Sequence, residues 1–283
     1  MPTVSTANVN GVRAATGKGL LDWIAASDAE VICLQEVRAR PDEVPDALRT
    51  LLAERGLHLT LAPSETAKGR NGVAVLSRCA PLAVRVGFGD PESDDEGRYL
   101  EVDLPEPPGD GRQRSLRGGH YTAASLYLPK GVTGTERQER KDRFLARFAR
   151  YLDDAWRRVR DAGREMVVCG DWNLAPAEAD VRNWRNNRTN SGFLPHEREW
   201  WADLTGCGWV DVVRAVHPDA DGPYSWWTYR GRAFDNDVGW RIDHQLATPG
   251  LAARAKDAVV ERAPSHAERW SDHAPVTVRY APV

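Results

Sequence analysis

A succession of short apolar runs, each ending in polar residues, is the feature that most constrains the fold of this chain. Glu30–Gln35 is followed by Glu36, and Glu165–Cys169 is followed by Asp171 and Asn173. A short continuous apolar run is typical of a central strand that is buried on both faces of its sheet. The sequence therefore predicts a sheet whose central strands deliver polar side chains to one edge.

The other strand and helix patterns indicate which kind of sheet this is. The predicted strands are Pro2–Val9, Glu30–Gln35, Leu57–Ala62, Gly72–Ser77, Leu82–Phe88, Tyr99–Leu104, Tyr121–Leu128, Glu165–Cys169, Trp226–Tyr229, Ile242–Ala247, Ala258–Glu261 and Val276–Tyr280. The predicted helices are Gly17–Ala26, Val44–Arg55, Arg137–Arg160 and Pro195–Leu204. Because strands outnumber helices and several are adjacent, a two-sheet α/β sandwich is favoured over a parallel Rossmann sheet. The absence of a Gly-x-Gly-x-x-Gly after a strand supports that choice.

Three further segments are predicted to lack regular structure. Asp90–Gly97 and Pro105–Arg117 are rich in glycine, proline and charge, which is typical of surface loops. Asp180–Asn190 is rich in amides and is predicted to be irregular. No fixed-period repeat and no linker divides the 283 residues, so we expect a single domain over residues 1–283.

Composition excludes several classes of protein. A hydrophobic fraction of 41% and eleven Trp exclude a disordered chain. The four cysteines include no Cys-x-x-Cys pair, and Cys33 and Cys169 lie inside apolar runs, so reduced, buried thiols are expected. No secretory signal and no apolar stretch long enough to span a bilayer is visible. We expect a cytoplasmic protein with no membrane partner.

Charge is unevenly distributed along the chain. The net charge of −3 and the pI of 6.2, taken alone, argue against a nucleic-acid-binding protein. However, the local field at a cleft matters more than the net charge. Arg182, Arg185 and Arg188 lie among asparagines, whereas Asp90–Glu96 is acidic.

The polar residues at the predicted strand ends form a chemically coherent set. They are Asn8, Asn10, Gln35, Glu36, Tyr127, Asp171, Asn173, Asp243, His244, Asp272 and His273. If they converge, they build one cleft whose oxygen ligands favour a hard cation such as Mg²⁺ or Mn²⁺. A carboxylate that orients water, together with a metal and a histidine that neutralise phosphorane charge, suits phosphodiester hydrolysis.

Taken singly, these residues have simpler interpretations. Glu36 alone is more often a solvated strand-end carboxylate, and Asn8 and Asn10 alone resemble turn residues before Gly11. Asp243 alone could be an ion-pair partner of the nearby Arg241. Their joint occurrence at strand ends is what favours a catalytic cleft.

Longer motifs around these residues resemble the exonuclease III family of apurinic/apyrimidinic endonucleases, within the endonuclease/exonuclease/phosphatase superfamily. The motifs are Asn8-Val9-Asn10-Gly11-Val12-Arg13, Leu34-Gln35-Glu36, Leu126-Tyr127-Leu128-Pro129, Gly170-Asp171-Trp172-Asn173, Asn190-Ser191-Gly192-Phe193, Ser225-Trp226-Trp227-Thr228-Tyr229-Arg230, Trp240-Arg241-Ile242-Asp243 and Ser271-Asp272-His273-Ala274-Pro275. The resemblance covers nearly the whole chain. It implies a four-layered α/β/β/α sandwich of two mixed β-sheets flanked by helices, as in DNase I.

The resemblance also implies a metal site and a set of catalytic residues. Glu36 would be the main ligand of Mg²⁺, or of Mn²⁺, with Asn10 and Asp272 beside it. Asn8, Asp171 and Asn173 would serve a second metal site if there is one. Asp171 would act as general base or orient the attacking water, helped by Asn173. Tyr127 and His273 would contact the scissile phosphate, and Asp243 would orient the imidazole of His273.

The same resemblance implies contacts with double-stranded DNA. Trp226, Trp240 and Ile242 would line a pocket for an extruded abasic sugar. The other substrate-binding residues would be Asn8, Arg13, Lys130, Asn183, Asn187, Arg188 and Asn190, whose contacts with phosphates position the duplex. Core packing is the alternative for the aromatic residues and is favoured for Trp227; a solvated loop is the alternative for the amides and arginines.

Two residues depart from the family pattern. Lys130 stands where glutamine or asparagine is common, so its contact with DNA differs from the usual one. His244 stands where an aromatic or aliphatic residue is common.

The activity implied is a Mg²⁺-dependent, monomeric DNA repair nuclease that cleaves 5′ to abasic sites and removes 3′ nucleotides and 3′ blocking groups. Two alternatives stay open at this point. One is another metal-dependent phosphodiesterase of the superfamily, acting on RNA, a phospholipid or an inositol phosphate. The other is a non-catalytic DNA-binding protein.

Overall fold

Regular strands form where the sequence has its short apolar runs. The structure, a computed structural model, describes residues 2–105 and 120–281. Its strands are β1 (Thr3–Asn8), β2 (Val31–Gln35), β3 (His58–Ala62), β4 (Val73–Ser77), β5 (Ala83–Val86), β6 (Tyr99–Pro105), β7 (His120–Tyr127), β8 (Glu165–Asp171), β9 (Val210–Asp211), β10 (Asp243–Ala247), β11 (Ala255–Val260) and β12 (Val276–Tyr280). Of the loop expected at Pro105–Arg117, all but Pro105 lies outside the described residues.

Helices connect many of these strands. They are α1 (Val12–Thr16), α2 (Leu20–Ala26), α3 (Asp46–Glu54), α4 (Glu136–Asp161), α5 (Trp184–Asn187), α6 (Pro195–Gly206), α7 (Val212–Val216) and α8 (Pro249–Ala252). No helix among the described residues has both the length and the apolar character needed to cross a membrane.

The strands of the described residues form two six-stranded mixed sheets. The first has the order β11-β12-β1-β2-β4-β3 and the second the order β5-β6-β7-β8-β10-β9. In each sheet one central pair is parallel, β1 with β2 and β7 with β8, and the remaining pairs are antiparallel. At one edge of each sheet, the carboxyl ends of some strands therefore lie beside the amino ends of their antiparallel neighbours.

Alternating side chains of the central strands build three layers of core. In β2, Val31 and Cys33 face the other sheet, whereas Ile32 and Leu34 pack with the helices α2 and α3. This is the two-residue period of a strand that is buried on both faces. The outer face of the second sheet is covered by α4 and α6. The predicted α/β/β/α sandwich is thus confirmed.

Helix α4 shows how the sequence produces this covering. Phe144, Leu145, Phe148 and Leu152 recur at helical spacing and are all at most 3% exposed. Burying each of these side chains contributes roughly 1.5–3 kcal/mol. Trp156, expected in the same stripe, is only partly buried and packs at the margin of the cluster.

Gly170 lets β7 and β8 approach each other next to the polar edge. Its φ is +154°, and a Cβ atom at this position would lie 2.0 Å from the carbonyl oxygen of Leu126. A side chain here would separate the two strands. The glycine therefore keeps Tyr127 opposite Asp171 in the parallel register.

Two predicted elements were wrong, for different reasons. Trp226–Tyr229 is not a strand, because only Trp226 finds bridge partners, Trp240 and His273. The helix expected at Gly17–Ala26 begins at Leu20, after Gly19 with φ +125°.

The segment expected to be irregular and the two core cysteines can also be compared with the structure. Asp180–Asn190 contains the short helix α5, and β9, α7 and α8 were not predicted. Cys33 and Cys169 are free and buried, as expected.

Candidate active site

Sheet topology explains why distant polar residues meet at one edge. Asn8, Tyr127 and Asp171 end β1, β7 and β8, and Glu36 directly follows β2. Strand β10 is antiparallel to β8, so its first residue, Asp243, lies opposite Asp171. Strand β12 is antiparallel to β1, so Asp272 and His273, which precede it, lie at the same edge.

Asp171 is the buried centre of this edge, with 1% of its surface exposed. The side-chain amide of Asn8 donates to Asp171 Oδ2 at 2.9 Å, and the backbone N–H of Asn173 donates to Oδ1 at 2.9 Å. Burial, supported by the negative charges of Asp243 and Glu36, raises the pKa of Asp171 to about 7, although His273 acts in the opposite direction. A carboxylate with this pKa can accept a proton near neutral pH.

His273 lies between two carboxylates. Its Nδ1 is 2.9 Å from Asp243 Oδ2, and its Nε2 is 3.8 Å from Asp171 Oδ2. Burial lowers the pKa of His273, but the charges of Asp243 and Asp171 outweigh burial and raise that pKa to about 10. The ring is therefore an imidazolium at neutral pH. It donates its Nδ1–H to Asp243 and keeps Nε2–H as a second donor.

Carboxylate and amide oxygens, which are suited to bind a hard metal ion, lie along the neighbouring part of this edge. The Asn10 side-chain amide donates to Asp272 Oδ1 at 2.8 Å, and Asn8 donates to Glu36 Oε1 at 2.9 Å. Burial raises the pKa of Asp272, but His273 and the hydrogen bonds from Trp226 and Asn10 lower it overall, so this carboxylate stays ionised. Carboxylate and amide oxygens without cysteine fit Mg²⁺ or Mn²⁺.

Backbone geometry also marks this edge as specialised. Asn10, Glu36 and Asn173 have φ values of 47°, 50° and 46°, in the left-handed region that non-glycine residues rarely adopt. Asparagine tolerates this region, so Glu36 is the strained residue of the three, of the kind often found at functional sites. Among the described acidic, histidine and cysteine residues, Asp171, Asp243 and His273 form a buried group whose ligand atoms lie within 4.8 Å of one another.

An open cavity of about 500 Å³ adjoins the charged edge. Its lining residues are Glu36, Tyr127, Lys130, Gly131, Val132, Thr133, Asp171, Asn173, Asn190, Ser191, Gly192, Trp226, Trp240, Ile242, Asp272 and His273. Trp226 and Trp240 meet edge to face, with ring centroids 6.4 Å apart, and their backbones exchange two hydrogen bonds of 2.9 Å. The cavity therefore has one apolar wall and one charged wall.

The predicted site residues fall into two groups. The structure brings the predicted catalytic and metal-binding residues together, and Lys130, Asn190, Trp226, Trp240 and Ile242 line the cavity beside them. The Lys130 Nζ atom lies 5.5 Å from the centre of the Trp226 ring. Trp227 is buried in a separate cluster, as favoured from the sequence.

The other predicted DNA contacts lie outside the cavity. Asn183, Asn187 and Arg188 lie on or beside α5, where Asn187 donates to Asn183 O at 2.8 Å. Arg13 is exposed and lies 4.0 Å from Glu43.

Sequence reasoning missed four residues that support the site. Ser225 Oγ donates to Asp243 Oδ2 at 2.6 Å, and the Arg98 guanidinium lies 5.2 Å from the centre of the Tyr127 ring. Lys141 and Glu197 form a buried ion pair behind the cavity wall. Of these four, only Ser225 belongs to a motif recognised in the sequence, Ser225-Trp226-Trp227-Thr228-Tyr229-Arg230.

The protein family of this chain follows from comparison with known proteins. The endonuclease/exonuclease/phosphatase family model matches residues 5–273. The chain therefore belongs to this family.

Individual relatives then place it more narrowly. The chain is 32% identical to the DNA repair nuclease APEX1 of Danio rerio over 97% of this chain and 81% of that protein. It is 32% identical to an exodeoxyribonuclease of Bacillus subtilis over 95% of both chains. Within the superfamily the chain belongs to the exonuclease III family, as its motifs predict.

Solved structures agree with this placement. A 3′-5′ exonuclease from Neisseria meningitidis superposes with a TM-score of 0.82 at 28% identity, covering 99% of each chain. An AP endonuclease from Archaeoglobus fulgidus superposes with a TM-score of 0.82 at 27% identity, again over 99% of each chain.

Proposed function

We propose that this protein is a Mg²⁺-dependent DNA repair nuclease of the exonuclease III type. It hydrolyses the phosphodiester 5′ to abasic sites in duplex DNA and removes 3′ nucleotides and 3′ blocking groups. The observation that carries this proposal is the cavity in which Asp171 and His273 face an apolar wall of Trp226 and Trp240. The names of the relatives, a DNA repair nuclease and an exodeoxyribonuclease, support the same substrate class.

Asp171 and His273 have different roles in hydrolysis, one as proton acceptor and the other as hydrogen-bond donor. Asp171 accepts a proton from the attacking water, whose oxygen forms the new bond to phosphorus as the P–O3′ bond breaks, and the leaving 3′-oxygen takes up a proton from solvent. His273, held by Asp243, donates a hydrogen bond to a phosphate oxygen and stabilises the charge that builds up there. Tyr127, at the end of the neighbouring strand, contacts the same phosphate.

The oxygen donors beside this pair fit a metal cofactor. Glu36, Asn10 and Asp272 would hold Mg²⁺ or Mn²⁺, which supplies Lewis-acid neutralisation of phosphate charge when bound. Asn8, Asp171 and Asn173 would serve a second ion if there is one. Asn8 joins Glu36 to Asp171 through one amide, so the metal-binding and proton-accepting groups are fixed relative to each other.

The apolar wall supplies the selectivity for abasic DNA. An abasic sugar has no base to unstack, so extruding it from the duplex costs little. Trp226, Trp240 and Ile242 form a slot that takes the sugar and excludes a base. Lys130 and Asn190 contact the DNA at the cavity, and Arg13, Asn183, Asn187 and Arg188 contact phosphates farther along the duplex.

One assay tests the central claim. Incubation with a duplex that contains a tetrahydrofuran abasic analogue and Mg²⁺ is expected to give incision on the 5′ side, and EDTA is expected to abolish it. Absence of incision, or incision unaffected by EDTA, overturns the proposal. Phosphoinositide and poly(A) tested in parallel should not be hydrolysed at comparable rates, and preferential hydrolysis of either would favour the other branch of the superfamily.

Substitution of Trp240 tests the pocket itself. Trp240→Ala should lower kcat/KM for the abasic duplex by about 10-fold or more. It removes the indole that faces the sugar and also the edge-to-face pair with Trp226, a type of pair that contributes roughly 0.5–1.5 kcal/mol beyond its area burial. Trp156→Ala removes a partly buried tryptophan that packs against Trp209, away from the cavity, and is the matched control. Equal losses in the two variants would contradict the role of Trp240.

A further inference from the structure

A fully buried ion pair lies directly behind the cavity wall. Lys141 Nζ is 2.7 Å from Glu197 Oε1, and both side chains are 0% exposed. Moving two charges out of water costs several kcal/mol per ion, which their attraction repays only with good geometry and further hydrogen bonds. Such a pair is weak evidence for stability, so the contacts it makes are more informative about its role.

The two members of the pair hold two different loops. Lys141 Nζ also donates to the backbone carbonyl of Asn173 at 2.8 Å, two residues after the catalytic Asp171. Glu197 Oε2 accepts from the backbone N–H groups of Gly192, at 2.6 Å, and Leu194, at 3.0 Å. The ion pair is therefore a bridge between the loop that follows β8 and the loop that precedes α6.

Gly192 is the point at which this bridge reaches the cavity. A Cβ atom on Gly192 would lie 2.9 Å from Asn173 O and 3.5 Å from Cζ3 of Trp240. The carbonyl of Gly192 also accepts from Ala175 N–H at 2.7 Å. The backbone of Gly192 therefore lies between the loop that follows β8 and the indole of Trp240. Its position sets the distance between these two sides of the pocket.

A metal site is the competing interpretation of this region. Asp142, His196 and Glu197 bring three ligand atoms within 4.8 Å of one another. However, the amide of Gln138 donates to Asp142 at 2.8 Å and to Glu197 at 3.1 Å, and Lys141 already compensates the charge of Glu197. Because Lys141 is fully buried 2.7 Å from Glu197 Oε1, its positive charge stays in place and opposes a cation at this cluster.

We propose that Lys141 and Glu197 are positioning residues that set the width of the sugar pocket and so determine preference for DNA from which a sugar is extruded. This inference deepens the proposed function and rests on it. Neither side chain lines the cavity. They act through Asn173 and Gly192.

Binding measurements separate this role from general stability. In an Asp171→Asn background, the affinities for a fluorescent tetrahydrofuran duplex and for the intact duplex are measured by anisotropy with Mg²⁺. Lys141→Met is expected to weaken binding of the abasic duplex by about 10-fold, which corresponds to about 1.4 kcal/mol. Binding of the intact duplex, which leaves the pocket empty, is expected to change by less than about 2-fold. Equal changes for the two duplexes, or no change for either, overturn the inference.

Two further variants control for folding. Lys141→Met/Glu197→Gln removes both charges and retains an amide oxygen that accepts from Gly192, so its Tm should recover relative to Lys141→Met. Its preference for abasic DNA should stay low, because Asn173 O still lacks its donor. If the double variant regains both the wild-type Tm and the preference for abasic DNA, the ion pair has only a structural role.

The matched control breaks another buried ion pair. Glu101→Gln removes a carboxylate that is 0% exposed and pairs with Arg85 and Arg158, none of which lines the cavity. It should lower Tm without changing the preference for abasic DNA. A loss of preference in this variant would refute the specific role of Lys141 and Glu197.

Kinetics with intact Asp171 add a second readout. Lys141→Met should raise KM for the abasic duplex by about 10-fold and leave kcat within about 3-fold, as expected when an interaction shared by the ground and transition states is lost. A fall in kcat alone would contradict the inference. If the wild-type protein does not incise abasic DNA, both the proposed function and this inference fail. If the wild type incises abasic DNA but Lys141→Met has an unchanged KM, only the inference is overturned.

Discussion

Two buried polar networks meet at the start of β10 and stabilise charge in different ways. In the first, Arg241 donates from Nε to Asp180 at 2.6 Å and from Nη2 to Asp211 at 2.9 Å. Burial raises the pKa of Asp211, but the guanidinium of Arg241 outweighs it and the pKa is lowered overall. His244 completes this network with Nδ1 2.9 Å from Arg241 and Nε2 2.8 Å from Leu174 O.

The second network, formed by Asp171, Asp243 and His273, contains no guanidinium. Its cation is an imidazolium, and the pKa of Asp171 is raised to about 7. Within the described residues, Oδ1 of Asp243 is a buried oxygen without a hydrogen-bond partner. The comparison teaches that a buried carboxylate beside a permanent cation is fixed in one charge state, whereas one beside a titratable partner can exchange a proton.

The largest expected effect comes from Asp171→Asn, which removes the proposed proton acceptor and keeps the shape of the side chain. We expect turnover on abasic DNA to fall by about 10²–10⁴-fold, the usual contribution of a general base. Single-turnover rates with saturating enzyme measure this loss directly. Asp211→Asn is the counterpart in the first network, and on its folded fraction it should retain the wild-type rate within about 3-fold. Near-normal turnover in Asp171→Asn would refute the assignment of the base.

The next effect is expected for His273→Ala. Loss of the proposed hydrogen-bond donor to the developing phosphorane should lower kcat by about 10²–10³-fold. His244→Leu, which replaces the histidine of the first network, should change kcat by less than about 3-fold. Similar losses in the two variants would erase the distinction between the networks.

Stability, rather than rate, should respond to Asp180→Asn. This carboxylate is 0% exposed and accepts from both Arg241 and Arg214. Removing one partner of a buried pair typically destabilises by about 3–5 kcal/mol, measured by urea unfolding. Asp153→Asn breaks an exposed pair with Arg157 and should cost less than about 1 kcal/mol. Equal changes in the two variants would show that the first network adds nothing to stability.

The smallest effect is a pH dependence introduced by His244. Burial, and then the positive charge of Arg241, lower the pKa of His244 to about 4. Between this value and the ordinary value of about 6.5, the unfolded chain binds a proton that the folded protein does not. The stabilising contribution is therefore full above about pH 6.5 and is lost as the pH falls toward 4, by at most about 3 kcal/mol.

His244→Leu removes this dependence, so the unfolding free energy of the wild type should fall more steeply than that of the variant between pH 6.5 and 4. His58→Leu replaces an exposed histidine and is the control. Parallel pH profiles for wild type and His244→Leu would show that His244 does not titrate in this way.

Much of the fold and of the charged edge could be predicted from the sequence, because both depend on local patterns. A short apolar run that ends in Asp171 or Glu36 indicates both a buried strand and the residue at its end. The strand expected at Trp226–Tyr229 is absent because aromatic β-propensity does not provide a partner strand, and within this segment only Trp226 forms isolated bridges, with Trp240 and His273. Tertiary pairing decides such segments.

The residues behind the site could not be predicted for a related reason. Lys141 lies on a highly charged helix, where a lysine is ordinarily solvated, and its burial depends on the distant Glu197. Asp243 and Arg241 are close in sequence, but Arg241 precedes β10 and donates to Asp180 and Asp211, whereas Asp243 binds His273. The simple pairing considered from the sequence was therefore wrong. Contacts between distant segments leave no periodic signal.

Asp272 joins two parts of the molecule that otherwise have separate roles. One of its oxygens accepts from Asn10 at the proposed metal site and the other from the indole N–H of Trp226 in the pocket wall. If Asp272 holds the proposed cation and Trp226 the proposed sugar, we expect the two ligands to be coupled through this carboxylate. Thermodynamic reciprocity requires that each change the affinity of the other by the same factor. Metal titrations carried out with and without abasic DNA would thus report one coupling free energy from both directions.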